Sequence, residues 1–178
     1  QGPAGRSVVG SRVYTWGAEG GAGGARRLAE QTVVITRQLC GGDSSYTASA
    51  EAALAGQYLD LGRDAESQQH FGAAIATSER VDGADSLAYA GVLYGRAIME
   101  EARGDLVLAE QGYRQTLALH QRLLGTQHPR SLDVQMVLAR LLMRADRTAE
   151  AEPLLREVGT VWRRTLAADS QQLVTLEL

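Results

Sequence analysis

AIMEEARGDLVLAEQGYRQT, residues 97–116, repeats a pattern that stands 42 positions earlier in AGQYLDLGRDAESQQHFGAA, residues 55–74. Ala97, Gly104, Tyr113 and Thr116 fall on Ala55, Gly62, Phe71 and Ala74. A second step of 42 reaches Ala139, Asp146, Leu155 and Val158, and a step back gives Val13, Gly20, Ala29 and Thr32. Further columns read Ala25, Ser67, Ala109, Ala151 and Gly41, Gly83, Gly125, Ala167, so small residues recur where helices approach closely or the chain turns. A fixed, ungapped period of this length marks stacked supersecondary units, none of which can bury its apolar face alone.

Each unit holds two amphipathic segments, for example Ser131 to Ala145 and Ala149 to Leu166, with apolar residues three and four apart. That pattern predicts a helical hairpin. Glycine at 20, 62 and 104 falls where the first helix of each pair must stop and reverse. Pro129 suits the first position of a helix, where an N–H would have no partner anyway. Cys40 to Ser44, Asp82 to Ser86 and Gly125 to His128 supply turn residues and side-chain acceptors between hairpins. The expected fold is all-α, a right-handed α-solenoid of about four hairpins at residues 6–44, 45–86, 87–128 and 129–170. These form a single array over 1–178, in which 171–178 opens a ninth or capping helix.

Composition narrows the function classes. The chain has 178 residues and 44% hydrophobic content, enough for a core. A net charge of -3 and a pI near 5.6 argue against a face that neutralises phosphates, so nucleic acid is not an expected partner. Apolar runs such as Val33-Val34-Ile35 fall far short of the roughly 20 residues that span a bilayer, and no membrane insertion is expected. Cys40 is the single cysteine, and no secretory pattern is visible, which points to an intracellular, cytoplasmic location; an organelle or upstream targeting segment before Gln1 stays open. There is no lysine and no asparagine, and all 18 basic residues are arginine, so chemistry that needs a lysine amine is excluded within this segment.

No motif points to catalysis, a cofactor or a metal. The Gly-rich run Gly17 to Gly24 follows no strand and precedes no Lys-Ser/Thr pair, and its place in the period makes it a turn. His70, His120 and His128 lie on separate stretches without a second ligand at suitable spacing, and His128 before Pro129 reads as a helix start. Cys40 has no base placed beside it. Glu100, Glu101, Glu110, Glu150 and Glu152 lie among arginines, with Glu110/Arg114 and Glu152/Arg156 four apart, as on solvated helix faces.

These columns resemble the tetratricopeptide repeat, with its small residue in the first helix (Ala55, Ala97, Ala139), glycine at the turn and small, bulky and small residues in the second helix. The 42-residue spacing and the phrases Arg122 to Pro129 and Thr148 to Leu155 resemble the kinesin-light-chain variety. The resemblance covers residues 6 to 170. It is specific for fold and not for function, because unrelated scaffolds share it. Arg96 and Glu100 depart from it, standing where other repeats have Leu54, Tyr58, Leu138 and Leu142. Either the two pair with each other, or their helix rotates to bury Val92, Gly95 and Met99. Repeat 1 is weak, with Arg12 in the same column and glycines around its turn.

The resemblance implies a concave face lined by the first helix of each hairpin, at positions three before and one, four and five after the small residue. Those offsets give Gly10, Tyr14, Gly17 and Ala18, then Ala52, Gly56, Leu59 and Asp60, then Tyr94, Ile98, Glu101 and Ala102, and finally Met136, Arg140, Met143 and Arg144. Tyr14, Tyr94, Ile98, Glu101, Met136, Arg140, Met143 and Arg144 form the expected partner-binding set. Aromatic and apolar side chains beside arginines suit a peptide with an acidic segment. A tyrosine or methionine at helical spacing equally suits a core. The kinesin-light-chain repeats commonly present asparagines here and this chain has none, so their cargo preference does not transfer. The expected function is a non-catalytic protein-interaction scaffold. The alternative is an architectural subunit of a larger complex, suggested by the weak first repeat and by apolar Leu173, Val174, Leu176 and Leu178.

Overall fold

A computed structural model describes residues 22–165 of the chain. Seven helices and no strand occur among the described residues: α1 (Ala22–Cys40), α2 (Ser45–Asp60), α3 (Asp64–Asp82), α4 (Leu87–Ala102), α5 (Leu106–Leu124), α6 (Pro129–Arg144) and α7 (Thr148–Thr165). The chain divides into two compact units, residues 1–77 and 78–178, with the boundary inside α3. The expected first helix of repeat 1, with Tyr14 and Gly20, and the expected opening of a ninth helix at 171–178 lie outside the described residues.

The turn column explains the hairpins. Gly62 and Gly104 have φ of 68° and 85°, and Asp146 takes the same left-handed conformation at φ 57°. Each closes the preceding helix with the same two hydrogen bonds. Gly62 N donates to Leu59 O and Arg63 N to Tyr58 O, both at 2.8 Å; Gly104 and Asp105 repeat this toward Glu101 and Glu100, and Asp146 and Arg147 toward Met143 and Leu142. This is a Schellman-type closure, which satisfies carbonyls a helix end would leave orphaned. Between hairpins, Thr47 and Ser131 occupy one column and make one bond, their hydroxyls donating to Gly41 O at 2.9 Å and Gly125 O at 2.8 Å.

Helix starts are capped as the sequence suggests. Ser44 accepts from Thr47 N and Ser86 from Tyr89 N, each at 3.1 Å, and Asp105 accepts from Leu108 N at 3.0 Å. His128 caps α6 through Nδ1, which accepts from Arg130 N at 3.2 Å, and Pro129 opens the helix. A cap of this kind contributes about 1 kcal/mol.

In the first unit, Val33 of α1 packs with Ala50, Leu54 and Tyr58 of α2. In the second, one core joins Ala97, Ala109, Tyr113, Leu117, Val134, Leu138, Ala139, Leu141, Leu142 and Ala151, and a smaller cluster joins Leu132 to Val158, Val161 and Trp162. Gly112 lets α5 lie against α4: a Cβ built on it would meet the Ala97 Cβ at 2.7 Å. Of the two arrangements left open for Arg96 and Glu100, the pairing occurs; of the three residues a rotation would bury, Gly95 is only half-buried. Glu100 is buried and faces Arg96 at 3.6 Å and Arg103 at 3.3 Å, while Val92 and Met99 are also buried. The Arg96 side chain is 49% exposed, so its charge reaches water.

Candidate functional site

Tyr94, Ile98 and Glu101 follow one another at helical spacing on α4, so they share a face. Ile98 is exposed and Tyr94 half-buried. The Tyr94 ring lies 5.7 Å from that of Tyr113 on α5, tilted by 53°. Tyr113 is buried, and its hydroxyl donates to Glu101 Oε2 at 2.7 Å. The other Glu101 oxygen, Oε1, accepts from Arg144 on α6. A hydroxyl and a guanidinium from two other helices therefore fix one carboxylate on α4.

Burial, and then the hydrogen bond to Glu101, push the Tyr113 hydroxyl far above its ordinary range. Burial also raises Tyr94, followed by the charge of Asp133, while Arg140 opposes the rise. Arg140 acts on both rings from α6, is exposed, and has no ion pair among the described residues. Of the two arginines expected on this face, Arg144 is paired with Glu101 and Arg140 is unpaired among the described residues.

Met136 and Met143 take other places. Met136 is half-buried against the cluster of Leu132, Val158, Val161 and Trp162. Met143 is exposed and lines a cavity of about 280 Å³ with Ala151, Leu155 and Gly159 of α7. Tyr94, Glu101, Arg140 and Arg144 are thus brought together, with Ile98 beside them, and the two methionines serve α7. Tyr14 lies outside the described residues.

Two polar clusters extend beyond the i,i+4 pairs legible in the sequence. In the first unit Glu51 is buried, takes Arg37 at 2.5 Å and His70 Nδ1 at 2.6 Å, and His70 stacks on Tyr58 with ring centres 5.2 Å apart. The Tyr58 hydroxyl donates to Glu30 at 2.9 Å, so α1, α2 and α3 are tied by one chain of contacts. The available signal was Glu51 standing in a column whose other members are Val9, Leu93 and Gln135. In the second unit Arg147 joins Glu110 at 2.5 Å and Glu150 at 2.6 Å, and Arg114 joins Glu110 at 2.8 Å. Burial alone would raise Glu110, but the hydrogen bonds from Arg147 and Arg114 outweigh it and hold the carboxyl below its usual range.

No cluster of three or more metal-capable side chains occurs among the described residues, and no described helix is long and apolar enough to cross a membrane. Cys40 is exposed at the end of α1.

Residues 89–164 match the tetratricopeptide repeat family model. No curated protein matches the sequence. Among solved structures, the nearly identical TPR-like repeats of a Podosopora anserina kinesin light chain superpose with a TM-score of 0.74 at 20% identity, over 94% of this chain and 79% of that one. A variant of those same repeats gives 0.75 at 21% over the same shares. BtubC (BKLC) from P. vanneervenii gives 0.72 at 17%, over 89% of this chain and 64% of that one. At these identities the likeness shows the fold: a right-handed solenoid of helical hairpins.

Proposed function

We propose that the tetratricopeptide repeats of residues 89–164 hold a partner protein on the face shared by α4 and α6, and that they take an extended or helical segment carrying a carboxylate. Repeats of this type are protein-interaction scaffolds. The observation that carries the finer reading is Arg140, exposed and without an ion pair among the described residues, on the side of α6 whose charge reaches Tyr94 and Tyr113. A guanidinium can fork onto a carboxylate through two parallel N–H bonds, and the Tyr94 ring with Ile98 adds apolar surface at low entropic cost. The segment works without chemistry of its own in this reading.

The test is selection from a displayed peptide library on the immobilised 178-residue chain. Enrichment of peptides with Asp or Glu beside apolar residues, lost on Arg140→Glu, supports the reading. Enrichment of basic or charge-free peptides, or enrichment that persists in Arg140→Glu, sinks it.

A second reading, an architectural subunit of a larger assembly, is favoured by the apolar cavity lined by Met143 of α6 and by Leu155 and Gly159 of α7. Under it, Leu155→Asp would release the chain from a native complex while Arg140→Glu would not.

A further inference from the structure

Asp133 stands on α6 seven residues before Arg140, so the two share one side of the helix, two turns and about 10 Å apart. Both are exposed, and neither has an ion pair among the described residues. Tyr94 on α4 feels both, because the charge of Asp133 raises its hydroxyl and that of Arg140 opposes the rise. Met136 and Val137, one turn after Asp133, are half-buried and leave a short apolar strip between the two charges. The pair belongs to α6 and not to the repeat. Earlier hairpins have Ser49 and Gly91 in the column of Asp133, and Gly56 and Ile98 in that of Arg140, none of them charged. Arg144, one turn beyond Arg140, is already answered by Glu101.

We infer that the segment held on this face carries two charges of opposite sign: a carboxylate that meets Arg140 and a basic side chain that meets Asp133, with an apolar residue between them over Met136 and Val137. The inference rests on the binding face proposed above and adds the base, the spacing and the order. A segment that lays a carboxylate on Arg140 and follows α6 also passes Asp133. A second acid there is repelled, and a neutral residue leaves Asp133 without a counter-charge, so a base is the complement that both fixes register and rejects wholly acidic segments. The separation also narrows the conformation. Residues i and i+7 of a helix, or i and i+3 of a polyproline II segment, lie on one side about 10 Å apart. Residues on one side of a β-strand lie about 7 or 14 Å apart and match neither charge well.

Selection from the displayed peptide library, run in parallel on the natural 178-residue chain and on Asp133→Arg, reads both charges at once. On the natural chain the enriched peptides should pair an Asp or Glu with an Arg or Lys three or seven positions away. On Asp133→Arg the basic position should turn acidic while the first acid stays. A synthetic peptide of the enriched sequence should lose about two- to fivefold in affinity for the natural chain when its base becomes Ala, and nothing when the chain carries Asp133→Ala. An acid enriched without a base, or the same peptides enriched on both chains, would overturn this inference and leave the Arg140 reading standing. Peptides without an enriched acid would overturn both. A carboxylate near the start of α6 also suits the helix dipole. If that were its whole role, Asp133→Arg would lower the melt by circular dichroism and leave the selected peptides unchanged, which would again overturn the inference.

Discussion

Glu101 binds Arg144 across the gap between α4 and α6, although the two residues are 43 positions apart in the chain. One residue more than the repeat period, this separation sets Glu101 opposite the end of the neighbouring first helix. The contact neutralises one of two positive charges on the α4–α6 face; the other, on Arg140, has no ion pair among the described residues.

Reversing Arg144 to Glu therefore places two carboxylates together beside the Tyr113 hydroxyl. Because Arg144 is about half exposed, solvent screens the pair, and the loss should be only about 1 kcal/mol or less in urea unfolding. Arg140→Glu breaks no ion pair among the described residues and should leave the unfolding midpoint within about 0.5 kcal/mol of the natural chain. Equal and large losses in both would show that Arg140 has a structural partner.

Tyr113→Phe deletes a buried hydroxyl bonded to a carboxylate and should cost about 1–2 kcal/mol. The same residue predicts a pH dependence. Its native pKa is raised, first by burial, so the unfolded chain loses that proton first, near pH 10. Its stabilising contribution is complete below that value and declines as pH rises through it and beyond. The alkaline slope of stability should be shallower in Tyr113→Phe, by at most about 1.4 kcal/mol per pH unit. Superimposable slopes would mean that Tyr113 ionises as readily in the fold as in the unfolded chain.

Two glycine replacements should move in opposite directions. Gly112→Ala gains about 1 kcal/mol of helix propensity but forces its Cβ to 2.7 Å from that of Ala97, and overpacking of about 1–3 kcal/mol outweighs the gain. Gly91→Ala, exposed on α4 with nothing within 4 Å of the new methyl, should stabilise by about 1 kcal/mol. Thermal melts of the two variants decide the matter by sign alone.

Asp146 holds a left-handed turn at φ 57° where Gly62 and Gly104 stand in earlier hairpins. Asp146→Gly should stabilise by about 0.5–1 kcal/mol, because relief of the Cβ clash exceeds the added freedom of the unfolded chain. An unchanged or lower denaturation midpoint would show that the Asp146 side chain stabilises the turn by more than its strain costs.

The fold was legible because it rests on backbone geometry that few residues satisfy. Glycine at 62 and 104, the Ser and Asp caps and Pro129 each announce a helix end, and small residues at 97, 109, 139 and 151 announce close helix contact. The face was legible in part. The offsets implied by the resemblance set Tyr94, Ile98, Glu101, Arg140 and Arg144 toward one side, but they cannot say which polar groups satisfy one another across helices. Tyr113 illustrates why: its column holds Phe71 and Leu155, so the ring is core by pattern, and only the added hydroxyl hinted at a tie to Glu101. Met143 likewise has the offset of a face residue yet opens toward α7, because a long flexible side chain near a helix end can lean either way.

Isothermal titration of the chain with an acidic peptide drawn from the displayed library, compared between the natural sequence and Arg140→Glu, tests the binding face most directly. The structure predicts a loss of affinity of at least about tenfold, roughly 1.4 kcal/mol, in Arg140→Glu with an unchanged melt. An unchanged affinity at equal stability would contradict it and move the partner site away from α4 and α6.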